Sequence, residues 1–200
     1  MALTGGIATG KSYVRAALAA AGVPTLDADT LAREAVAPGS EALAAVVATF
    51  GASVLGPDGA LDRGSLARRV FGDPDARRRL EAIIHPRVRE ATAAWFADLQ
   101  RRGDVAVAVV DIPLLFEVGR DRDFDRVVVA ACEPEVQLSR VMARDHLDEA
   151  AARARLAAQW SLDRKIALAD HVVRTDGTFA DTDREVARLL PVLAAWGASA

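Results

Sequence analysis

The chain has 200 residues, of which 52% are hydrophobic and 26% charged, and its net charge is −3. That length suits one globular domain of ordinary size, with room for a smaller inserted subdomain. The weakly negative charge argues against non-specific nucleic-acid binding, and no apolar run approaches the ~20 residues needed to span a bilayer.

In chain order, Ala2–Thr4 reads as a short apolar strand. Residues 5–12 follow as Gly-Gly-Ile-Ala-Thr-Gly-Lys-Ser and fit G-x-x-x-x-G-K-[ST]. The physics of that pattern is direct. Gly5 and Gly10 let the backbone turn tightly, and the loop N–H groups form a nest for phosphate oxygens. Lys11 reaches the β- and γ-phosphates, and Ser12 Oγ can ligate Mg²⁺. A chance glycine-rich turn is the bland alternative. It is disfavoured because an apolar start precedes the match and a run of helix formers, Lys11 to Ala21, follows it. Val23–Leu26 is the second strand, and Asp27-Ala28-Asp29 lies at its end. Each aspartate is either a cap for the helix beginning near Thr30 or a site carboxylate.

Nearly eighty residues of helical pattern come next, too many for a simple crossover. Pro38-Gly39, Gly56-Pro57-Asp58-Gly59 and Gly72-Asp73-Pro74 punctuate them, and Asp62, Ser65 and Asp73 are candidate helix starts. His85-Pro86 falls inside a helical stretch, where proline costs ~3 kcal/mol, so it marks a boundary or a functional kink. Val105–Val110 is the third strand and ends in Asp111, either a Walker-B-like carboxylate or an ordinary strand-end residue. The apolar loop Pro113-Leu114-Leu115-Phe116-Glu117 follows. Arg126–Ala130 is the fourth strand. Cys132, the only cysteine, excludes an internal disulfide and reads as a small buried hydrophobe in a cytoplasmic setting. Pro134 opens a helix running to about Arg144. On it Gln137, Arg140 and Arg144 share a face, which is either solvated or a cover for a phosphoryl group. Asp148 caps a helix expected to run toward Leu168. His171–Arg174 is the fifth strand, and a last helix spans roughly Asp181–Ala195. Alternating apolar runs and helical patterns predict an α/β fold with a mostly parallel sheet. His85, His146 and His171 have no metal-ligand spacing. No signal-peptide pattern opens the chain, and no protein partner is evident.

Assembled, these motifs resemble the dephospho-CoA kinase family over almost the whole chain. The likeness runs through Leu3-Thr4-Gly5-Gly6-Ile7, Asp27-Ala28-Asp29 with Arg33, Ile84-His85-Pro86 and Pro113-Leu114-Leu115-Phe116-Glu117. It continues through Gln137-Leu138-Ser139-Arg140, Arg144-Asp145, Gln159 and Ala169-Asp170-His171-Val172. The resemblance implies a three-layer P-loop nucleoside-triphosphate hydrolase-like fold with a five-stranded parallel sheet in the order 2-3-1-4-5. It implies a nucleotide-binding core over about 1–30, 103–133 and 169–200, a helical CoA-binding subdomain over about 31–102 and a lid over about 134–168. ATP and Mg²⁺ are the implied cofactors, and the implied reaction phosphorylates the ribose 3′-hydroxyl of dephospho-CoA. Lys11, Asp29 and Arg140 look like the catalytic residues. Gly5, Gly6, Ile7, Ala8, Thr9, Gly10, Lys11, Ser12, Tyr13, Arg140, Arg144 and Gly177 look like the nucleotide contacts. Asp29, Arg33, His85 and residues 113–117 look like the acceptor side, with Ser12, Asp29 and Asp111 as candidate metal ligands.

The chain departs from the family pattern in places. Ala8 and Thr9 stand where Gly and Ser are usual, which requires a negative φ at Ala8. Tyr13 replaces a threonine, and Gly177 lacks the asparagine common before it. The first strand is short. The sequence also admits two rival readings. Another small P-loop kinase, acting on a nucleoside, nucleotide, shikimate or sugar acid, would not need the long insert. A nucleotide-binding switch commonly carries N-K-x-D, which is absent.

Overall fold

The computed structural model describes residues 1–198. The chain divides into two compact units, one formed by Met1–Leu26 with the chain from Arg102 onward, the other by Asp27–Arg101.

The first unit is built on the sheet. β1 (Ala2–Gly5), β2 (Thr25–Asp27), β3 (Val109–Asp111), β4 (Val127–Ala131) and β5 (His171–Arg174) lie in the order β2-β3-β1-β4-β5. The pairs of β1 with β3, β1 with β4, and β4 with β5 are parallel. β1 is central and fully buried, so its residues must be apolar or small on both faces. Helices α1 (Lys11–Ala20) and α9 (Phe179–Gly197) cover one face: Val14, Leu18, Val186, Leu189 and Leu193 pack on Leu3, Val109, Val128 and Val173. α6 (Pro134–Asp145) and α7 (Glu149–Ala157) bury Leu138, Val141 and Ala152, against which Ile7 and Ala8 rest. Cys132 is buried, and burial pushes its thiol upward, away from the reactive thiolate.

Two strands are shorter at their starts than their apolar runs suggest. Val105–Ala108 stay outside β3, whose register on β1 pairs Ala2 with Val110 and Leu3 with Asp111. The Met1 amine donates to the Ala108 carbonyl at 2.8 Å. β2 begins at Thr25 because Val23 N–H closes a turn onto Leu18 and Pro24 has no N–H to give. The helix expected from Asp148 toward Leu168 is broken. Asp148 caps α7 as expected, but α8 (Leu162–Ile166) starts anew, capped by Ser161. α9 starts at Phe179, two residues early, with Thr178 and Asp181 forming a capping box.

The second unit is helical: α2 (Ala28–Ala35), α3 (Glu41–Phe50), α4 (Arg63–Val70) and α5 (Pro74–Arg102). Its own core gathers Val36, Leu43, Val46, Phe50, Val54, Leu66 and Ala76. Asp62 caps α4 and Asp73 accepts from the first N–H groups of α5, while Ser65 sits inside α4 and starts nothing. Pro86 is no boundary, since α5 runs through it for 29 residues. Among the described residues no helix is long and apolar enough to cross a membrane.

Candidate active site

The loop from Gly5 to Ser12 connects the carboxyl end of central β1 to the first turn of α1. Gly10 takes φ +79°, which suits glycine, and as N-cap of α1 it offers no side-chain acceptor. No acidic residue occupies that first turn. The first N–H groups of a helix have no intrahelical acceptor, so α1 presents them, with its positive dipole end, to an anion. Gly5 is required by close approach: a Cβ there would lie 2.6 Å from Thr9 Oγ1 and 2.7 Å from the Ala130 carbonyl. A Cβ on Gly6 would collide with Gln137 Nε2. Ala8 takes φ +59°, so the negative φ expected of it is not observed, and a non-glycine residue bears the left-handed strain.

Side chains from later in the sequence brace this loop. Ile7 N–H donates to Gln159 Oε1 at 2.9 Å, and Gln137 Nε2 donates to the Ile7 carbonyl at 2.8 Å. Thr9 is fully buried and its hydroxyl donates to the Gly6 carbonyl at 2.9 Å. Thr175, just past β5, donates its hydroxyl to the Thr9 carbonyl at 2.6 Å. Lys165 on α8 donates to the Gly5 carbonyl at 3.0 Å. Gln137 and Gln159 stand in recognised motif stretches, but Thr175 and Lys165 were not singled out by any motif. Its one signal is compositional: of the 25 Lys and Arg residues, only Lys11 and Lys165 are lysine.

Lys11 Nζ is paired with Asp111 Oδ1 at the end of β3, and Arg15 Nε lies 3.3 Å from Asp111 Oδ2. Asp111 is thus buried between two cations. Ser12 is exposed beside them. Arg140 and Arg144, one turn apart on α6, diverge. Arg140 folds onto Thr175, donating to its carbonyl at 2.6 Å and to its hydroxyl at 3.4 Å. Arg144 grips Asp145 through two bonds of 2.8 and 3.0 Å, and Arg155 reaches the same carboxylate at 2.5 Å. Those hydrogen bonds, Arg144 first, pull the Asp145 carboxyl down to about 2. Tyr13 donates its hydroxyl to Asp183 at 2.9 Å, which raises its pKa, and its ring lies 4.6 Å from that of Phe179. Gly177 packs tightly, since a Cβ there would sit 2.5 Å from Asp181 Oδ2.

After β3, Leu115 and Phe116 are buried and Leu114 is exposed. Glu117 Oε1 accepts from Trp160 N–H at 3.0 Å and pairs with Lys165 at 2.8 Å. The remaining expected residues belong to the helical unit. Asp27 is the N-cap of α2, its Oδ1 accepting from Asp29 and Thr30 N–H at 2.9 and 3.3 Å. Asp29 stands in the first turn of α2. Arg33, also on α2, helps line a pocket of about 390 Å³ with Thr30, Val36, Pro38, Leu61 and Arg63. His85 lies on α5.

A parallel sheet in this order, with a G-x-x-x-x-G-K-S loop after its central strand and a carboxylate ending the next, is the architecture of the P-loop small-molecule kinases. Comparison with known proteins narrows the class. The family model described as dephospho-CoA kinase matches residues 1–181. A dephospho-CoA kinase of Anaeromyxobacter dehalogenans is 56% identical over 88% of this chain and 82% of its own. A crystal structure from Thermus thermophilus superposes with TM-score 0.81 at 34% identity, covering 96% of each chain. A dephospho-CoA kinase from Campylobacter jejuni does so with TM-score 0.73 at 27% identity, covering 97% of this chain and 96% of that one. The chain belongs to the dephospho-CoA kinase family, the enzymes of the final step of coenzyme A biosynthesis.

Proposed function

We propose that this chain transfers the γ-phosphoryl group of ATP to the ribose 3′-hydroxyl of dephospho-CoA, through the residues described above. One observation carries the donor half: α1 begins on an uncapped glycine at the phosphate loop, with Lys11 already docked at the same edge on Asp111. ATP phosphates take the loop N–H groups, and Lys11 exchanges Asp111 for the β- and γ-phosphates. Mg²⁺ fits the donor set. Ser12 and Asp111 supply oxygen atoms only, as a hard cation needs, and among the described residues no cluster of three or more His, Cys, Asp or Glu offers a cage of its own. Such an ion would be held by Ser12 and Asp111 and would neutralise charge on the phosphates. Arg140 serves the transferring group from α6, with Arg144 beside it. Tyr13 and Gly177 serve the nucleoside end.

The helical unit takes the acceptor. Asp29 accepts the proton of the attacking hydroxyl or supports the metal, while Asp27 is spent on its cap. Arg33 and His85 hold acceptor charge, and the pocket beside Arg33 joins guanidinium groups to apolar walls, as a phosphorylated, partly apolar acceptor needs. Residues 113–117 complete the acceptor side, residues 31–102 bind the CoA moiety, and residues 134–168 act as the lid. A cytoplasmic setting suits the unpaired Cys132.

The test compares kcat/KM for dephospho-CoA, AMP and adenosine at fixed Mg·ATP, and maps the phosphorylated position. Remote binding energy should favour dephospho-CoA by ~10²-fold or more. Equal values for AMP or adenosine would make the chain a nucleotide or nucleoside kinase instead.

A further inference from the structure

Lys165 is one of two lysines in a chain that otherwise uses arginine for every basic side chain. Arginine serves as well or better wherever a surface cation is wanted, so lysine persists where a planar guanidinium cannot replace a compact ammonium. Phosphate chemistry accounts for Lys11. Lys165 is different: its side chain is 0% exposed.

Its three N–H groups have three acceptors in reach: the Gly5 carbonyl at 3.0 Å, Glu117 Oε1 at 2.8 Å and the Pro113 carbonyl at 3.5 Å. One acceptor belongs to the phosphate loop and two to the loop after β3. The turn that carries Lys165 is itself tied to both. Trp160 N–H donates to Glu117 Oε1, the Trp160 ring stacks on Phe116 with centroids 6.1 Å apart at 6°, and Gln159 holds Ile7 N–H. Arg164 lies 3.2 Å over the Trp160 ring. These ties also explain why the helix breaks between α7 and α8, since the N–H of Trp160 is given to Glu117 in place of a helical carbonyl.

A buried ion pair is weak evidence for stability, because an apolar pair of similar volume serves the fold as well. An ammonium can do what an apolar side chain cannot: hold a carbonyl and a carboxylate in one register. Because the peptide unit is planar, holding the Gly5 carbonyl also fixes the direction of the Gly6 N–H on its opposite side. We infer that Lys165 is a positioning residue for phosphoryl transfer, fixing the phosphate loop at Gly5 against the acceptor loop at Pro113 and Glu117. It acts through those groups and does not touch the reacting atoms. The inference rests on the kinase reading above.

The test is Lys165→Met, which keeps the stem and removes the charge, with Lys165→Arg as the conservative comparison. ATP dissociation constant, both KM values, kcat and thermal midpoint are measured for each against wild type. Misregistered loops should lower kcat by ~30-fold, with the ATP dissociation constant within about threefold of wild type, since a 1 Å displacement near the chemistry can cost ~10²-fold. Lys165→Arg should not rescue the rate, because its fork does not fit the buried slot. A folded Lys165→Met with kcat within threefold of wild type overturns the proposal, as does a rate loss matched by the loss of folded protein. If Lys165→Met fails to fold, the double variant Lys165→Met/Glu117→Gln leaves no orphaned charge and is measured in its place. Glu117→Gln alone, whose amide oxygen still accepts from Lys165 and Trp160, should be the faster of the two by ~10-fold. Equal rates for the double and the Glu117→Gln variant would overturn the proposal. Wild-type turnover of dephospho-CoA is the control: its absence would sink the kinase reading itself, whatever the variants do.

Discussion

At the residue scale, Ala8 shows how a single φ value carries a cost. It sits at φ +59°, where a Cβ crowds the following carbonyl and costs ~1 kcal/mol. Ala8→Gly should therefore raise the thermal midpoint by a few degrees, the strain relieved exceeding the entropy glycine adds to the unfolded chain. A lowered midpoint would mean the methyl's packing against the cluster of Leu138, Val141 and Ala152 outweighs the strain. Lys11 carries the opposite balance. Lys11→Ala should leave the fold intact, because Arg15 still faces Asp111, while turnover falls by ~10²-fold or more through the lost charge on the phosphates. Retention of a tenth of wild-type turnover would refute that role. The two aspartates at the carboxyl end of β2 separate cleanly. Asp27→Asn should change kcat little, since asparagine also caps helices, whereas Asp29→Asn should lower it by ~10²-fold. The reverse ranking in steady-state assays would move the base to Asp27.

At the element scale, α5 keeps Pro86 inside a continuous helix. The missing N–H leaves the Ala82 carbonyl without its helical donor, and the ring crowds that carbonyl. Pro86→Ala should raise the urea midpoint, corresponding to ~1–2 kcal/mol, less than the full ~3 kcal/mol of a proline penalty because the surroundings have adapted. An unchanged or lower midpoint would show that the helix gains from the proline. α6 and α7 illustrate a different economy. Their ends are joined through Asp145, which Arg144 and Arg155 share. Exposed pairs of this kind are weak singly, and networks hold better.

At the scale of the whole molecule, acid sensitivity follows from the carboxylates. Asp62 and Asp181 are held below their usual range by hydrogen bonds from Ser65 and Thr178, and Asp145 is held at about 2. A carboxylate whose folded pKa is depressed stabilises the fold above its unfolded value of 3.8 and loses that contribution as pH falls toward the folded value. The thermal midpoint should accordingly be flat from neutral pH to about 5 and fall between about 4 and 2. Asp145→Asn should flatten part of that fall. An identical acid profile for the variant would refute the assignment. Asp62 lies in the helical unit and Asp181 in the sheet unit, so both units contribute.

Local chemistry alone carried the sheet's strands, the phosphate loop and the aspartate caps, because periodicity, Gly-Lys-Ser spacing and Asp before a helix act over a few residues. Lys11, Ser12 and Asp111 were legible for that reason, and Asp27 was legible as a cap or a site residue but not as which. Tertiary contacts decided the rest. The register of β3 is set by β1, more than a hundred residues away in sequence. Pro86 stays helical because α5 as a whole is held by packing that proline's local penalty cannot overcome. The break after α7 exists because the backbone of Trp160 binds Glu117, 43 residues away in sequence. The burial of Lys165 depends on Gly5 and Pro113, 160 and 52 residues away. No local pattern encodes those meetings, since a lysine on a short helix reads as solvated until the fold surrounds it with acceptors.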